Sequence, residues 1–244
     1  MTVENLTYKS FGNRSILIEW PAIIDEKILN SVLNYKNAIK KNSIKVIVDI
    51  ISTYNSLTIF YHTSIENIDS EMLTLKSIYN EQYSLKIAKN YLWKIPVCYD
   101  QKFGLDLEEI SKKNGLPIDE IIGIHSRQIY TVYFIGFLPG FLYLGGLDEK
   151  LYFQRKSDPR LVVEKGAVGI GALQTGIYPQ ESAGGWNIIG NSPIQFFDRK
   201  NEQPCFAQAG DKVKFIPIDI KSHEEIFNLV AYKRYHIESE VVNA

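Results

Sequence analysis

The chain has 244 residues, 45% hydrophobic and 23% charged, values of an ordinary globular protein with length for one large β domain or two smaller ones. Its 27 basic and 28 acidic side chains leave a net charge of −1, which provides no field to gather phosphate backbones or anionic lipid and argues against nucleic acid and membrane surfaces as partners. No basic segment precedes an apolar core at the N-terminus, and no apolar run approaches the roughly 20 residues that span a bilayer. The expectation is a soluble, cytoplasmic protein, with Cys98 and Cys205 as thiols rather than a disulfide.

Thr7 to Phe11 and Ser15 to Trp20 are short β-prone runs around a Gly12-Asn13 turn. Asp25 is placed to cap a helix in which Ile28, Val32, Tyr35 and Ile39 recur on one face. Residues 44–51 are almost continuously apolar, which predicts a central strand covered on one or both faces. Leu57, Ile59 and Tyr61 alternate as the next strand, Ile68, Met72, Leu75 and Tyr79 follow at helical spacing, and residues 87–98 return to extended character around Pro96. The order β, α, β, β, α, β fits a split-βαβ, ferredoxin-like α/β layer. The boundary is expected within about four residues of Leu92, giving domains 1–91 and 92–244.

In the second half, Asp106 precedes a short helix ending at Gly115, and a second helix starts at Pro117 and ends near His125. Residues 130–137, YTVYFIGF, read as a strand. From there to Ile218 only short strands appear, broken at Pro159, Gly166, Gly176, Gly184, Gly190 and Gly210, the pattern of a closed barrel or a sandwich. Residues 223–235 read as a short helix packed outside it. Eleven of the sixteen glycines lie between Gly136 and Gly190, interleaved with Tyr143, Tyr152, Tyr178 and Trp186. Glycines that dense mark positive φ or close approach, and large aromatics beside them suggest a binding cleft.

Several chemistries are absent from the sequence. It contains no GxxxxGK[ST] phosphate loop, no HExxH or CxxC, no GxSxG elbow, and no Met-Lys acceptor for biotin, Met72 being followed by Leu73. ATP or biotin chemistry would need another chain, and no metal site is expected.

The motifs IPVCYDQKFGLDLEEI at 95–110, His125, YFIGFLPGFLYLGGL at 133–147, RKSDPR at 155–160 and GIGALQTGIYPQESAGGWNIIG at 169–190 stand together in one order. In this combination the chain resembles the family of the 5-oxoprolinase B-subunit (PxpB), the kinase inhibitor KipI and allophanate hydrolase subunit 1. The resemblance implies an α+β fold, a ferredoxin-like domain followed by a cyclophilin-like β-barrel. Ala183 and Asn191 stand where the family usually has proline and often has arginine.

The resemblance also implies an activity: ATP-dependent opening of the lactam of 5-oxoproline to L-glutamate, with ATP and Mg at the level of a complex. Its partners would be an A-type subunit and a C-type subunit similar to allophanate hydrolase subunit 2; a homo-oligomer is also compatible. The alternatives are a KipI-like inhibitor of a sensor histidine kinase and a carboxyltransferase-type subunit of a urea carboxylase system. His125 would transfer a proton if it faced the cleft; otherwise it simply ends a helix. Arg155 and Arg160 flank the Asp158-Pro159 turn, where a guanidinium fork suits a carboxylate, unless they pair with Asp158 or Glu164. The Gln174 amide suits a lactam's donor and acceptor, and Tyr178 and Trp186 are candidate walls of the same pocket or else core.

Overall fold

The computed structural model describes residues 6–42, 47–81 and 89–242. They fall into two compact units, within residues 1–88 and 89–244.

In the first unit β1 (Thr7–Ser10) and β2 (Ser15–Glu19) form a hairpin, followed by α1 (Glu26–Asn42), β3 (Ile47–Ser52), β4 (Ser56–Tyr61) and α2 (Ile68–Glu81). The antiparallel sheet runs β1-β2-β4-β3, so α1 connects two strands separated by β4. Asp25 caps α1 as expected, its Oδ1 accepting the Lys27 N–H at 2.7 Å. Asn67 does the same for α2 through the Ser70 N–H at 2.9 Å. The stripe Ile28, Val32, Tyr35 and Ile39 is buried against Ile16, Ile18, Leu57 and Ile59.

Two expectations change here. Residues 44–46 and 87–88 lie outside the described residues; the described part of the first apolar run, β3, is an edge strand rather than a central one. Val48 and Ile51 on it are 62% and 48% exposed. The strand expected to complete this sheet, β5 (Asn90–Cys98), belongs to the second unit, and β1 takes the place beside β2. The units divide between residues 88 and 89, so β5 falls wholly within the second. That strand is tied to its own unit by Asp211, whose carboxylate accepts the Tyr91 N–H at 3.0 Å and the Trp93 indole N–H at 2.8 Å.

After β5 come α3 (Leu107–Asn114), α4 (Ile118–Arg127), β6 (Tyr130–Ile135), β7 (Leu142–Gly145), β8 (Arg160–Val163), β9 (Ala167–Gly171) and β10 (Gln174–Ile177). The chain continues through β11 (Ser182–Gly184), β12 (Asn187–Asn191), β13 (Lys212–Ile218), α5 (Ile220–Ala231) and β14 (Glu238–Val242). Among the described residues, seven strands in the order β12-β9-β10-β7-β6-β13-β5 close into a barrel through the pairing of Asn191 with Cys98. Closure removes the exposed edges that an open sheet would leave. β8 and β11 form a separate ribbon, and β14 adds to the outside of β5.

Pro96 and Pro217 fit this ladder because each lies where one edge is open. β14 pairs with β5 only up to Lys94, and β6 pairs with β13 only at Lys212 and Val213. The tail differs from expectation: α5 starts earlier, capped by Asp219 accepting the Ser222 N–H at 2.7 Å, and β14 follows it. Mostly polar and exposed, β14 carries no alternation that would mark a strand. Cys98 and Cys205 are free thiols, and among the described residues no helix is long and apolar enough to cross a membrane.

Candidate active site

Alternation along β10 sorts the side chains around the site. Thr175 and Ile177 face the barrel core with Val132, Leu144, Val168, Ile170 and Phe215. Gln174, Gly176 and Tyr178 have the opposite parity and lie on the outer surface, where Phe141, Val163, Tyr178, Trp186 and Ile188 form a second cluster beside the β8–β11 ribbon.

The glycines of this region serve mainly close approach. On β9 and β10 the outward positions 169, 171 and 176 are all glycine, and the Trp186 indole lies against them. A Cβ at Gly176 would stand 2.9 Å from Trp186 Cζ3, one at Gly169 3.2 Å from Trp186 Cβ, and one at Gly171 would overlap the indole ring. Phe141 and Tyr143 meet the same indole edge-on, with centroids 5.5 and 5.8 Å away. Trp186 and Tyr178, 5% and 2% exposed, are thus packed side chains rather than open pocket walls.

His125 faces the barrel core and not a cleft. It is fully buried and stacked on Phe215 at 4.6 Å, and both ring nitrogens are bonded, Nδ1 to the Tyr99 hydroxyl at 2.7 Å and Nε2 to Thr175 Oγ1 at 2.9 Å. The Thr175 hydroxyl donates to the Gly169 carbonyl at 3.0 Å, so it accepts from His125 Nε2–H, and Nδ1 accepts from Tyr99. Burial pushes the imidazole down to about 3 and the Tyr99 hydroxyl well above its usual range. A neutral ring with its one proton committed does not shuttle protons near neutrality, so the proton-transfer role expected for His125 does not fit this geometry.

Arg160 is anchored through Nη2, though to neither expected partner, while its buried Nη1 has no partner among the described residues. Its Nη2 bonds Asp106 Oδ1 at 2.7 Å, Lys156 Nζ reaches the same oxygen at 2.9 Å, and Asp106 Oδ2 accepts the Ile188 N–H at 2.6 Å. Asp106 thereby pins the β8 ribbon and the 156 region to the barrel, and makes no side-chain cap on α3. Arg155 is different: it is exposed, and among the described residues no carboxylate pairs with it. Its charge acts on the Tyr143 and Tyr178 hydroxyls, which burial raises. Gln174 is half-buried, and its Nε2 donor has no partner among the described residues.

Arg155 lines a groove of about 620 Å³ together with Glu109, Lys113, Tyr152, Lys156 and Asn187. Within it Glu109 takes both lysines, at 2.7 Å to Lys113 and 3.0 Å to Lys156, which holds its carboxyl at about 2. The expected site residues therefore separate. Arg155 opens on the groove, Tyr178 and Trp186 pack in the outer cluster, Gln174 shares their face of β10, Arg160 is an anchor, and His125 lies in the core.

A family model described as the carboxyltransferase domain, subdomain C and D, matches residues 6–207. The 5-oxoprolinase B-subunit of Bacillus subtilis is 35% identical over 227 residues, covering 88% of this chain and 94% of that protein. The chain belongs to the 5-oxoprolinase B-subunit family. The Haemophilus influenzae 5-oxoprolinase B-subunit is 42% identical over 170 residues, 70% of this chain and 79% of its own. A crystal structure of the Kluyveromyces lactis urea amidolyase shares the fold at TM-score 0.83 and 20% identity, over 97% of this chain but 16% of that much longer one.

In this family member Asn191 is buried and bonded on both sides of its amide. Its Oδ1 bonds His223 Nε2 at 2.9 Å and its Nδ2 donates to the Lys165 carbonyl at 2.9 Å. Two residues that sequence reasoning passed over matter more here: Asp106, and Asn187 in the groove lining. Asn187 follows the Gly-Gly-Trp motif directly, and a polar amide at the head of the apolar Ile188-Ile189 run was the available signal.

Proposed function

We propose that this chain is one subunit of a cytoplasmic, ATP-dependent 5-oxoprolinase that opens the lactam of 5-oxoproline to L-glutamate and works only with partner subunits. The observation that carries the reading is the 35–42% identity to proteins named as the B-subunit of 5-oxoprolinase, spanning 94% of the Bacillus subtilis one. The N-terminal unit, with β4 inserted between β2 and β3, is read as a variant of the ferredoxin-like layer, and the barrel as cyclophilin-like.

The chemistry suits a divided task. An unstrained lactam carbonyl is a weak electrophile; phosphorylating its oxygen from ATP activates the carbon for addition of water, the C–N bond then breaks as the nitrogen takes a proton, and a second water releases phosphate from the resulting acyl phosphate to leave L-glutamate. This sequence has no phosphate-cradling lysine loop, so the nucleotide and Mg are assigned to an A-type or C-type partner. The contribution of this chain is to hold the substrate. Arg155, exposed and without a carboxylate partner among the described residues, is the group offered to clamp the carboxylate, whereas Gln174, whose Nε2 donor is unpartnered, is not part of the groove lining that holds Arg155.

Affinity purification of the tagged chain from its native cell, followed by peptide identification and a glutamate-release assay on the eluate, tests this. Recovery of a C-type partner together with ATP-dependent release supports the reading. Recovery of a sensor kinase, with no lactam turnover, would replace it by the inhibitor function.

A further inference from the structure

The groove beside α3 contains two polar groups that the described residues leave unused. Of its three cations, Lys113 is taken by Glu109 and Lys156 by Asp106 and Glu109, whereas Arg155 has no carboxylate among the described residues. The second group is Asn187, 1% exposed. Its Nδ2 is spent on the carbonyls of Gln154 at 2.8 Å and Ile170 at 3.2 Å, which fixes the orientation of the amide, and its Oδ1 has no donor. A buried amide oxygen left without a donor is costly, and a ligand N–H that reaches it recovers that cost.

We infer that this groove is the substrate subsite of the chain, taking a small molecule that pairs a carboxylate with an adjacent amide N–H: Arg155 clamps the carboxylate and Asn187 Oδ1 receives the N–H. The inference rests on the 5-oxoprolinase reading, because 5-oxoproline is the molecule of that kind the proposed reaction supplies. It goes further in placing the two recognition contacts, in excluding Arg160 and His125 from them, and in adding Asn187. The volume of about 620 Å³ lies in the roughly 300–1,000 Å³ range of small-molecule sites, leaving room for a partner's loop or nucleotide beside a five-membered ring. Orientation follows from the pair of contacts. With N–H and carboxylate both held by this chain, the lactam carbonyl on the other side of the nitrogen is left for the groups of a partner.

The test uses the full chain and two analogues that each lack one handle, which avoids relying on Asn187 variants that lose two internal hydrogen bonds. Phenylglyoxal modification of Arg155 is followed by peptide mass spectrometry with 5-oxoproline, 2-pyrrolidinone, which lacks the carboxylate, or N-methyl-5-oxoproline, which lacks the N–H. The expected result is at least fivefold slower modification with 5-oxoproline and little protection by either analogue at the same concentration. Equal rates with all three, or equal protection by the N-methyl compound, would overturn the assignment. Turnover by the wild-type reconstituted complex is measured in parallel. Turnover with an unprotected Arg155 rejects the groove and leaves the 5-oxoprolinase reading standing, whereas no turnover rejects that reading whatever Arg155 does.

Discussion

His125 Nε2 lies 2.9 Å from Thr175 Oγ1 inside the barrel, while Gln174, one residue away on β10, has the opposite parity and faces outward. The histidine thus sits on the reverse side of the wall from the residues it was expected to serve. Tyr99, His125, Thr175 and the Gly169 carbonyl form a directional chain that ties α4 to β10 and β9.

Replacing His125 by alanine should therefore damage the fold more than the chemistry. Loss of a buried ring and of two hydrogen-bond partners is expected to cost about 2–4 kcal/mol in denaturant unfolding. Turnover per folded complex should change less than about threefold; a hundredfold fall in kcat with unchanged stability would restore a chemical role.

The same ring predicts a pH signature. Its folded pKa, about 3, lies below the unfolded value near 6.5, so the unfolded chain binds more protons between them. Its stabilising contribution is complete above about pH 6.5 and is lost as pH falls toward 3. His125→Gln should flatten the rise of unfolding free energy with pH across that window, leaving the slope from His223, whose pKa burial also lowers, and at the acid end that from Glu109.

Gly171→Ala should destabilise the barrel by about 1–3 kcal/mol, since the new methyl overlaps the Trp186 indole. A double-mutant cycle with Trp186→Leu checks the cause: the alanine should cost less than half as much once the indole is gone. An unchanged penalty would locate the strain elsewhere.

The two arginines should behave oppositely. Arg155→Ala in the assembled complex is expected to raise KM for 5-oxoproline at least about tenfold with thermal stability unchanged, as loss of a charged clamp requires. Arg160→Ala removes a partner of the buried Asp106 and should lower stability by about 2–4 kcal/mol, with KM changing less than threefold. Comparing melting temperature and KM for both variants decides the assignment.

How far the sequence revealed this depended on how local each signal was. The α1 stripe with its Asp25 cap, the β1–β2 turn at Gly12 and the Gly115 stop were legible because a few neighbouring residues decide them. The barrel was legible as a run of short strands. Which sheet β5 joins was not, since its apolar pattern satisfies either unit, and the Asp211 contacts that hold it come from more than a hundred residues away. The site was harder for the same reason. Asp106 reads only as the residue before a helix until Arg160 and Lys156 fold onto it, and the parity that puts His125 and Gln174 on opposite faces of one wall appears only when the barrel closes.

The central claim is tested most directly by rebuilding the complex from separately purified subunits and measuring glutamate formed from 5-oxoproline with ATP and Mg, leaving out one component at a time. The account predicts that glutamate appears only when this chain, its partners and ATP are all present, and that omitting this chain abolishes it. Undiminished turnover by the partners without this chain, or none with every component present, would contradict it.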